Sequence, residues 1–353
     1  MLFMQETREI RLAGGHLLKA TPVYDTYWRF AAKRQDLFMR RVTGMPGPWT
    51  NDPVLACYRF TNVYRAADRV SQYLIRHVIY EGPQTEDEIF FRVILFKIFN
   101  RIETWKTLLS EVGSLSWRGF DFQRYAHVLD DMLIRGERIY SAAYIMPSPN
   151  LGNPRKHRNH LALLEHMMRS GAATRVAQAR SLQEMFEILR GYPSLGDFLA
   201  FQFAIDLNYS VLTNFSEMEF VVAGPGARNG IRKCFQDTGG LSDCEIIRTM
   251  AARAQQEFER LGLVFQTLWG RELQLIDCQN LFCEVDKYAR IVHPTIKGKS
   301  GRSRIKQRFT QKPESLPQWY PPKWGLKIPS TLRRGVHGTQ TFQTGSASIR
   351  PCR

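Results

Sequence analysis

Apolar positions recur every three to four residues through most of the first 290 residues, a spacing that predicts helices. Between Tyr58 and Tyr80, the residues Phe60, Val63, Tyr64, Ala67, Val70, Leu74, Ile75 and Val78 fall on one stripe and predict a long amphipathic helix. Thr85 to Glu88 then supplies an N-cap and first-turn acids, with Glu88 at the capping-box position. The stretch it opens, to about Leu109, is apolar on every side (Ile89, Phe90, Phe91, Val93, Ile94, Leu95, Phe96, Ile98, Phe99), which predicts a central, buried helix. Further helices are predicted over 122–135, 159–170, 180–190, 195–209 and 245–262, with Gly/Pro/Asn-rich joints at 146–154 and 191–194. Strand-like alternation is scarce and no internal repeat is visible, so the pattern predicts an all-α fold.

Composition adds a charge asymmetry. The 353 residues hold 49 Lys and Arg against 33 Asp and Glu, a net charge of +16. Residues 295–353 contain 13 of those cations and a single acid, Glu314, leaving residues 1–294 at only +4. The chain therefore divides into a helical body, 1–294, and a basic tail, 295–353, and a polyanion partner must be argued separately for each. In the tail, Pro317, Trp319, Tyr320, Pro321, Pro322 and Trp324 interleave prolines with aromatics. The prolines exclude a regular helix there, the aromatics predict docking on the body, and the Gly/Ser/Thr-rich stretch beyond about Ser330 reads as a loose end. No 18-residue apolar run is present, which excludes a transmembrane helix, and Met1–Lys19 lacks the pattern of a secretory signal. Six irregularly spaced cysteines read as thiols in a reducing compartment.

Two local motifs bear on chemistry. Gly298-Lys299-Ser300 resembles the end of a phosphate-binding loop, but His293 occupies the position of the glycine such a loop requires, and no strand precedes it. Gly224-Pro225-Gly226-Ala227-Arg228-Asn229-Gly230 reads either as a hairpin offering backbone N–H groups to a phosphate, with Arg228, Arg232 and Lys233 adding charge, or as a joint whose glycines permit tight packing. Glu284-Val285-Asp286-Lys287-Tyr288-Ala289-Arg290 follows downstream and, taken alone, suits a solvated helix face.

Together the Gly-rich segment and Val285-Asp286-x-x-x-Arg290 resemble the helix-hairpin-helix DNA glycosylases, although the 60-residue interval from Gly226 to Asp286 implies an insertion. Arg228 aligns with the Schiff-base lysine of the members with lyase activity. A guanidinium remains protonated, which excludes that chemistry here. Only Cys352 follows Asp286, so the iron–sulfur ligand set is absent.

Four blocks carry a narrower resemblance over about residues 58–290: Phe60-Thr61-Asn62-Val63-Tyr64-Arg65-Ala66-Ala67-Asp68-Arg69-Val70-Ser71; Leu95-Phe96-Lys97-Ile98-Phe99-Asn100 with Glu103-Thr104-Trp105; Ala223-Gly224-Pro225-Gly226-Ala227; and Leu281-Phe282-Cys283-Glu284-Val285-Asp286-Lys287-Tyr288. They resemble the alpha-glutamyl/putrescinyl-thymine pyrophosphorylase group, also named for the helical domain of 5-hydroxymethyluracil DNA kinases. The resemblance implies a helical, glycosylase-like domain; the basic tail, 295–353, lies outside the matched blocks and reads as a nucleic-acid-binding arm. The implied activity is displacement of pyrophosphate from 5-pyrophosphomethyluracil in DNA by an amine, an amino acid or polyamine. DNA, that amine and a separate upstream 5-hydroxymethyluracil DNA kinase are the implied partners, with no membrane. The setting would be the cytoplasm of a bacterial or phage-infected cell, or the nucleus in a eukaryote. No cofactor and no metal site is implied, although a divalent cation on pyrophosphate is compatible with the chemistry.

Under this reading Asp286 is the general base for the amine. Arg65, Arg69, Arg228 and Lys233 stabilise the departing pyrophosphate, and Asn62 and Asn100 read the pyrimidine edge. Gly224, Gly226, Lys287 and Tyr288 contact the DNA, and Tyr64 or Tyr288 offers a stacking surface. Two alternatives share these residues: a monofunctional glycosylase in which Asp286 stabilises a sugar cation, and a non-catalytic DNA-binding module that partners the kinase. Pairing of Asp68 with Arg65 or Arg69 is the bland reading of that block.

Overall fold

In the computed structural model, residues 7–310 and 317–334 are described, Arg333 and Arg334 by their backbone alone. A hairpin of β1 (Arg8–Arg11) and β2 (Leu17–Ala20) opens the chain, and β2 pairs in turn with β3 (Phe235–Asp237), giving an antiparallel sheet of order β1-β2-β3. Its register sets Ile10 opposite Leu18, and both are buried. Elsewhere the described residues are helical or irregular, so the fold is helical with a small sheet that the all-α assignment omits.

The helices follow in order. They are α1 (Pro22–Val42), α2 (Pro53–Cys57), a 3-10 turn (Arg65–Ala67), α3 (Arg69–Tyr73) running into a π-helical turn (Leu74–Ile79), α4 (Glu86–Phe99) and α5 (Ile102–Val112). Then come α6 (Phe122–Ile134), α7 (Lys156–Arg169), α8 (Ala172–Ala177), α9 (Leu182–Arg190) and α10 (Asp197–Asn208). The last are α11 (Pro225–Cys234), α12 (Asp243–Arg260), α13 (Leu275–Val292), a 3-10 turn (Pro322–Trp324) and α14 (Ser330–Arg334). Their starts carry the expected chemistry: the Thr21 and Asp52 side chains accept first-turn N–H groups ahead of Pro22 and Pro53, and Ser242 with Glu245 forms a capping box.

α4 and α10 are buried all round, as their composition requires. α4 packs on α7, α8 and α10, while α13 packs on α1, α11 and α12. No helix among the described residues is long and apolar enough to cross a membrane. Cys234, Cys244, Cys278 and Cys283 are free thiols, whereas Cys57 is disulfide-bonded, which departs from the all-thiol reading.

Two predicted helices are interrupted, the first by polar side chains that capture backbone groups and the second by a left-handed residue. Residues 58–64 are not helical: Glu284 accepts the Thr61 N–H, Asp68 accepts the Asn62 N–H at 2.7 Å, and the Asn62 amide donates to Ala67 O. Such bonds offer the backbone an alternative to the helix ladder. The predicted helix through Leu109 ends at Asn100, a left-handed cap with φ 48°. Glu88 does not close the box with Thr85; its carboxylate accepts the N–H groups of Trp117 and Arg118.

The Gly-rich segment is corrected most clearly. No helix spans 211–224, so the glycines do not join two helices across a hairpin. Gly224 caps α11, and the ring of Phe198 lies where its Cβ would stand. Gly226 and Gly230 face α13, where a Cβ would come within 2.3 Å of Cys283 Sγ and 2.1 Å of Phe282 O. They let α11 lie directly on α13, the tight-packing role. Gly298-Lys299-Ser300 is likewise structural: Ser300 both donates to and accepts from the Asn229 amide, at 3.0 and 2.7 Å.

The tail packs on the body. Arg59 and Phe309 exchange backbone bonds with Gln307 and Cys57, and Tyr58 bridges Arg308. Trp319 N–H donates to Gln72 Oε1 at 2.8 Å, and the Lys323 ammonium donates to the carbonyls of Asn208, Ser210 and Thr213, satisfying the end of α10. Residues 330–334, expected to be loose, form α14, and Leu332 O accepts Gln318 N–H. The remainder of that expectation, beyond Arg334, lies outside the described residues.

Gly230→Ala drives a methyl into rigid backbone and is expected to cost about 2–3 kcal/mol in urea unfolding. Gly226→Ala meets a thiol that can rotate and should cost less.

Candidate functional site

Arg65, on the 3-10 turn, stands where the two groups of helices meet, and it is buried. Its guanidinium donates to both Asp206 carboxylate oxygens at 2.7 and 2.9 Å, to Gln202 at 2.9 Å and to the Tyr209 hydroxyl at 3.3 Å. Its backbone N–H donates to Asp277 at 2.8 Å, so one residue ties α10 to α13. Lys97, from α4, approaches Asp206 at 3.0 Å, donates to Asn100 Oδ1 at 3.0 Å and lies 4.6 Å from the centre of the Tyr144 ring. Burial alone would raise the Asp206 carboxyl, but the charges of Arg65 and Lys97 outweigh it and hold the group below its ordinary value. Burial pulls the Lys97 ammonium down, only partly offset by Asp206. Two cations thus share one carboxylate, an excess of positive charge in a dry place.

Asp68, Tyr144 and Cys283 are half-buried residues beside this cluster, their titratable groups enclosed. Tyr144 interacts electrostatically with Arg65, Asp206, Asp68 and Cys283, and it stacks on Phe198 with centroids 5.8 Å apart and planes 8° from parallel. Its backbone is left-handed at φ 56°, unusual for a tyrosine. Burial pushes the Asp68 carboxyl up to about 7, although the Asn62 N–H and the Arg34 charge pull it back. Asp277 also sits at about 7, raised by burial and then by Glu217. Burial pushes the Cys283 thiol up to about 12, which removes it as a nucleophile near neutrality. Among the described residues no group of three or more His, Cys, Asp and Glu is placed to hold a metal ion.

The other anticipated residues divide by location. Arg65 and Asn100 come together through Lys97 and Asp206. Asn62 borders Asp68, but its amide is spent on Ala67 and Arg34, holding the 60–68 loop. Asp68 pairs with neither Arg65 nor Arg69, and the buried Arg69 Nε has no partner. Asp286 lies one turn beyond Cys283 in an ionic lock. One oxygen receives Lys233 at 3.0 Å and Asn229 at 2.9 Å, and the other meets Arg290. Lys233 is itself buried there, and Arg228 is exposed and donates to Ala223 O. Lys287 pairs with Glu284 at 2.6 Å, and the buried Tyr288 hydroxyl donates to Asp52 at 2.6 Å, so its ring is core rather than stacking surface. Tyr64 is buried too, its hydroxyl donating to Arg271 O.

Lys97, Asp206, Gln202, Tyr209, Tyr144, Asp68 and Asp277 were not among the candidates. For two of them a signal exists: Lys97 and Asp206 are ionised groups within otherwise apolar helical runs, Val93–Phe99 and Leu199–Leu207, where burial demands a partner. Tyr144 lies in a joint and carries no such mark.

Residues 21–298 match the family described as 5-hmdU DNA kinase, helical domain. A 5-hmdU DNA kinase of Bacillus phage SP10 is 28% identical over 291 residues, 75% of this chain and 45% of that protein. The chain thus spans less than half the length of that relative. No solved structure matches it.

Asp206→Asn strands two buried cations and is expected to lower stability by about 3–5 kcal/mol in chemical unfolding. Asp68 and Asp277 have folded values near 7 against about 3.9 for an unfolded aspartate, so the folded chain binds the extra protons. That contribution is complete below about pH 4 and is lost as pH rises through 7. Asp68→Asn should flatten part of this decline in Tm between pH 4 and 7.

Proposed function

The chain belongs to the family of 5-hmdU DNA kinase helical domains, and from that premise we propose that it modifies hydroxymethyluracil-derived bases in DNA, replacing an activated 5-substituent with an amine. The observation that carries this reading is the unbalanced Arg65–Lys97–Asp206 cluster with the half-buried Asp68 within electrostatic reach of Arg65. An excess of fixed positive charge favours a substrate whose leaving group is an anion, and a carboxyl near neutrality is suited to taking a proton from an ammonium. A base must leave the duplex before enclosed side chains can act on its 5-substituent, at a cost of about a few kcal/mol.

In the proposed step the amine gives its proton to the Asp68 carboxylate and attacks the 5-methylene carbon with its freed lone pair. The C–N bond forms as the C–O bond to pyrophosphate breaks, and pyrophosphate leaves with the electron pair. Arg69, next to Asp68 in sequence and with a buried Nε that has no partner, is the candidate to meet that anion. Assigning the base to Asp68 rather than Asp286 follows from geometry: both Asp286 oxygens are engaged by buried cations, which also leaves the glycosylase alternative without a free carboxylate there. The exposed cations Lys297, Lys299, Arg302, Arg304, Lys306 and Arg308 support backbone contact with DNA.

A second reading has one observation in its favour. The chain corresponds to less than half of a DNA kinase, so a helical module that presents DNA to phosphoryl-transfer machinery, without chemistry of its own, also fits.

DNA carrying 5-pyrophosphomethyluracil, incubated with the protein and a panel of amino acids and polyamines, should yield a new nucleoside adduct by mass spectrometry and release pyrophosphate. The rate should rise with pH through about 7 as Asp68 deprotonates, and Asp68→Asn should lower it about 100-fold or more. No adduct and no pyrophosphate with any amine would sink the proposal and leave the presenting module; turnover undiminished in Asp68→Asn would remove Asp68 as the base.

A further inference from the structure

On the outer side of the docked tail lies a depression of about 440 Å³, lined by Trp269, Arg271, Glu272, Gln274, Trp324 and Lys327 among others. Its floor is unusual in backbone terms. Trp269 and Gly270 are the two central residues of a tight turn closed by paired bonds between Leu268 and Arg271, and both are left-handed, at φ 50° and 94°. Such a turn favours Asn-Gly, whose side chain tolerates that conformation. A tryptophan there costs about 1–2 kcal/mol, and strain of this kind gathers at sites of function. The Trp269 ring touches Phe38 and Tyr320 yet stays half exposed. Opposite it, the Arg271 guanidinium lies 3.8 Å from the centre of the half-exposed Trp324 ring and is fixed by Glu217 at 2.8 Å. Lys327 is exposed, and Glu272 also lines the depression.

We infer that this depression binds one unpaired nucleotide of the DNA, its base stacked on the open surface of Trp269 and its phosphate met by Lys327. Every base has a π-face, so stacking on an indole is tolerant of sequence, and a neighbouring cation anchors the backbone. Glu272 and the Gln274 amide border the base edge, where a carboxylate accepts exocyclic N–H groups and repels phosphate, which keeps the phosphate on the Lys327 side. Tyr320 links the two places: it packs against Trp269 and Trp324 and interacts electrostatically with Asp68 and Asp277. A nucleotide held here is a neighbour of the one under modification. The inference rests on DNA as the substrate, as proposed above, but not on the chemistry performed on it.

Fluorescence anisotropy with unmodified oligothymidylate and with an abasic oligomer of equal length and charge tests it without turnover. The protein should bind the base-bearing strand about tenfold more tightly than the abasic one. Trp269→Asn, which suits the turn, should abolish that preference while retaining salt-dependent binding of both strands; Trp269→Phe should keep most of it. Lys327→Met should weaken both strands alike and reduce the salt dependence. Equal affinity of the intact protein for both strands, or an undiminished preference in Trp269→Asn, overturns the inference while leaving DNA as substrate. Failure of the intact protein to bind either strand overturns both.

Discussion

The contact on which the molecule turns is the buried ion cluster of Arg65, Lys97 and Asp206. α4 and α10 are apolar on every face, so nothing in their patterning alone specifies how they meet. The charges do. Asp206 must face Lys97, and Arg65 must reach Asp206 with its side chain and Asp277 with its backbone. Any other rotation of α10 leaves an unpaired charge in an apolar interior, at a cost of several kcal/mol. The 60–68 loop owes its shape to the same demand: Arg34, Glu284 and Asn280 clamp it from α1 and α13, and the clamp delivers Arg65 into the cluster.

How much of this was legible follows from which force sets each feature. Helices whose stripe or composition dictates burial were readable, and 122–135, 195–209 and 245–262 fall within two residues of α6, α10 and α12. Breaks around Asn62, Asp68 and Asn100 were not: the 60–68 loop is held by side chain to backbone bonds, one of them from as far along the chain as Glu284, and α4 stops at a left-handed Asn100. The hairpin strands were too short to show alternation, and β3 exists only because α11 delivers Phe235 beside Ala20. In the site, Arg65 and Asn100 were legible as members of recognisable blocks. The partner of Arg65, Asp206, sits 141 positions away and acquires its meaning from that pairing. Asp286 drew notice for its place in a motif, but the same spacing that puts it on one face with Arg290 locks the two together.

The charge excess also resolves into parts with different physics. From Lys297 to Arg308 the cations are exposed and act as a screened, salt-sensitive surface. Lys323 is spent on three carbonyls at the end of α10. A tail that reads as one basic block in composition therefore contributes both an exposed basic surface and a wall of the folded body.

The cluster's imbalance links stability to binding. A buried pair of cations sharing one carboxylate is less favourable than a balanced set, and Asp68 and Asp277 relieve it only to the extent that they ionise, which their burial resists near neutrality. An anion arriving at the Asp68–Tyr144 edge would supply the missing charge at no further cost in buried carboxylate. Binding that satisfies the folded state alone stabilises it in proportion to RT ln(1 + [L]/Kd). Under the proposed function, the group that makes the protein less stable is then the one that would favour an anionic leaving group. A fully neutral core would remove both properties together.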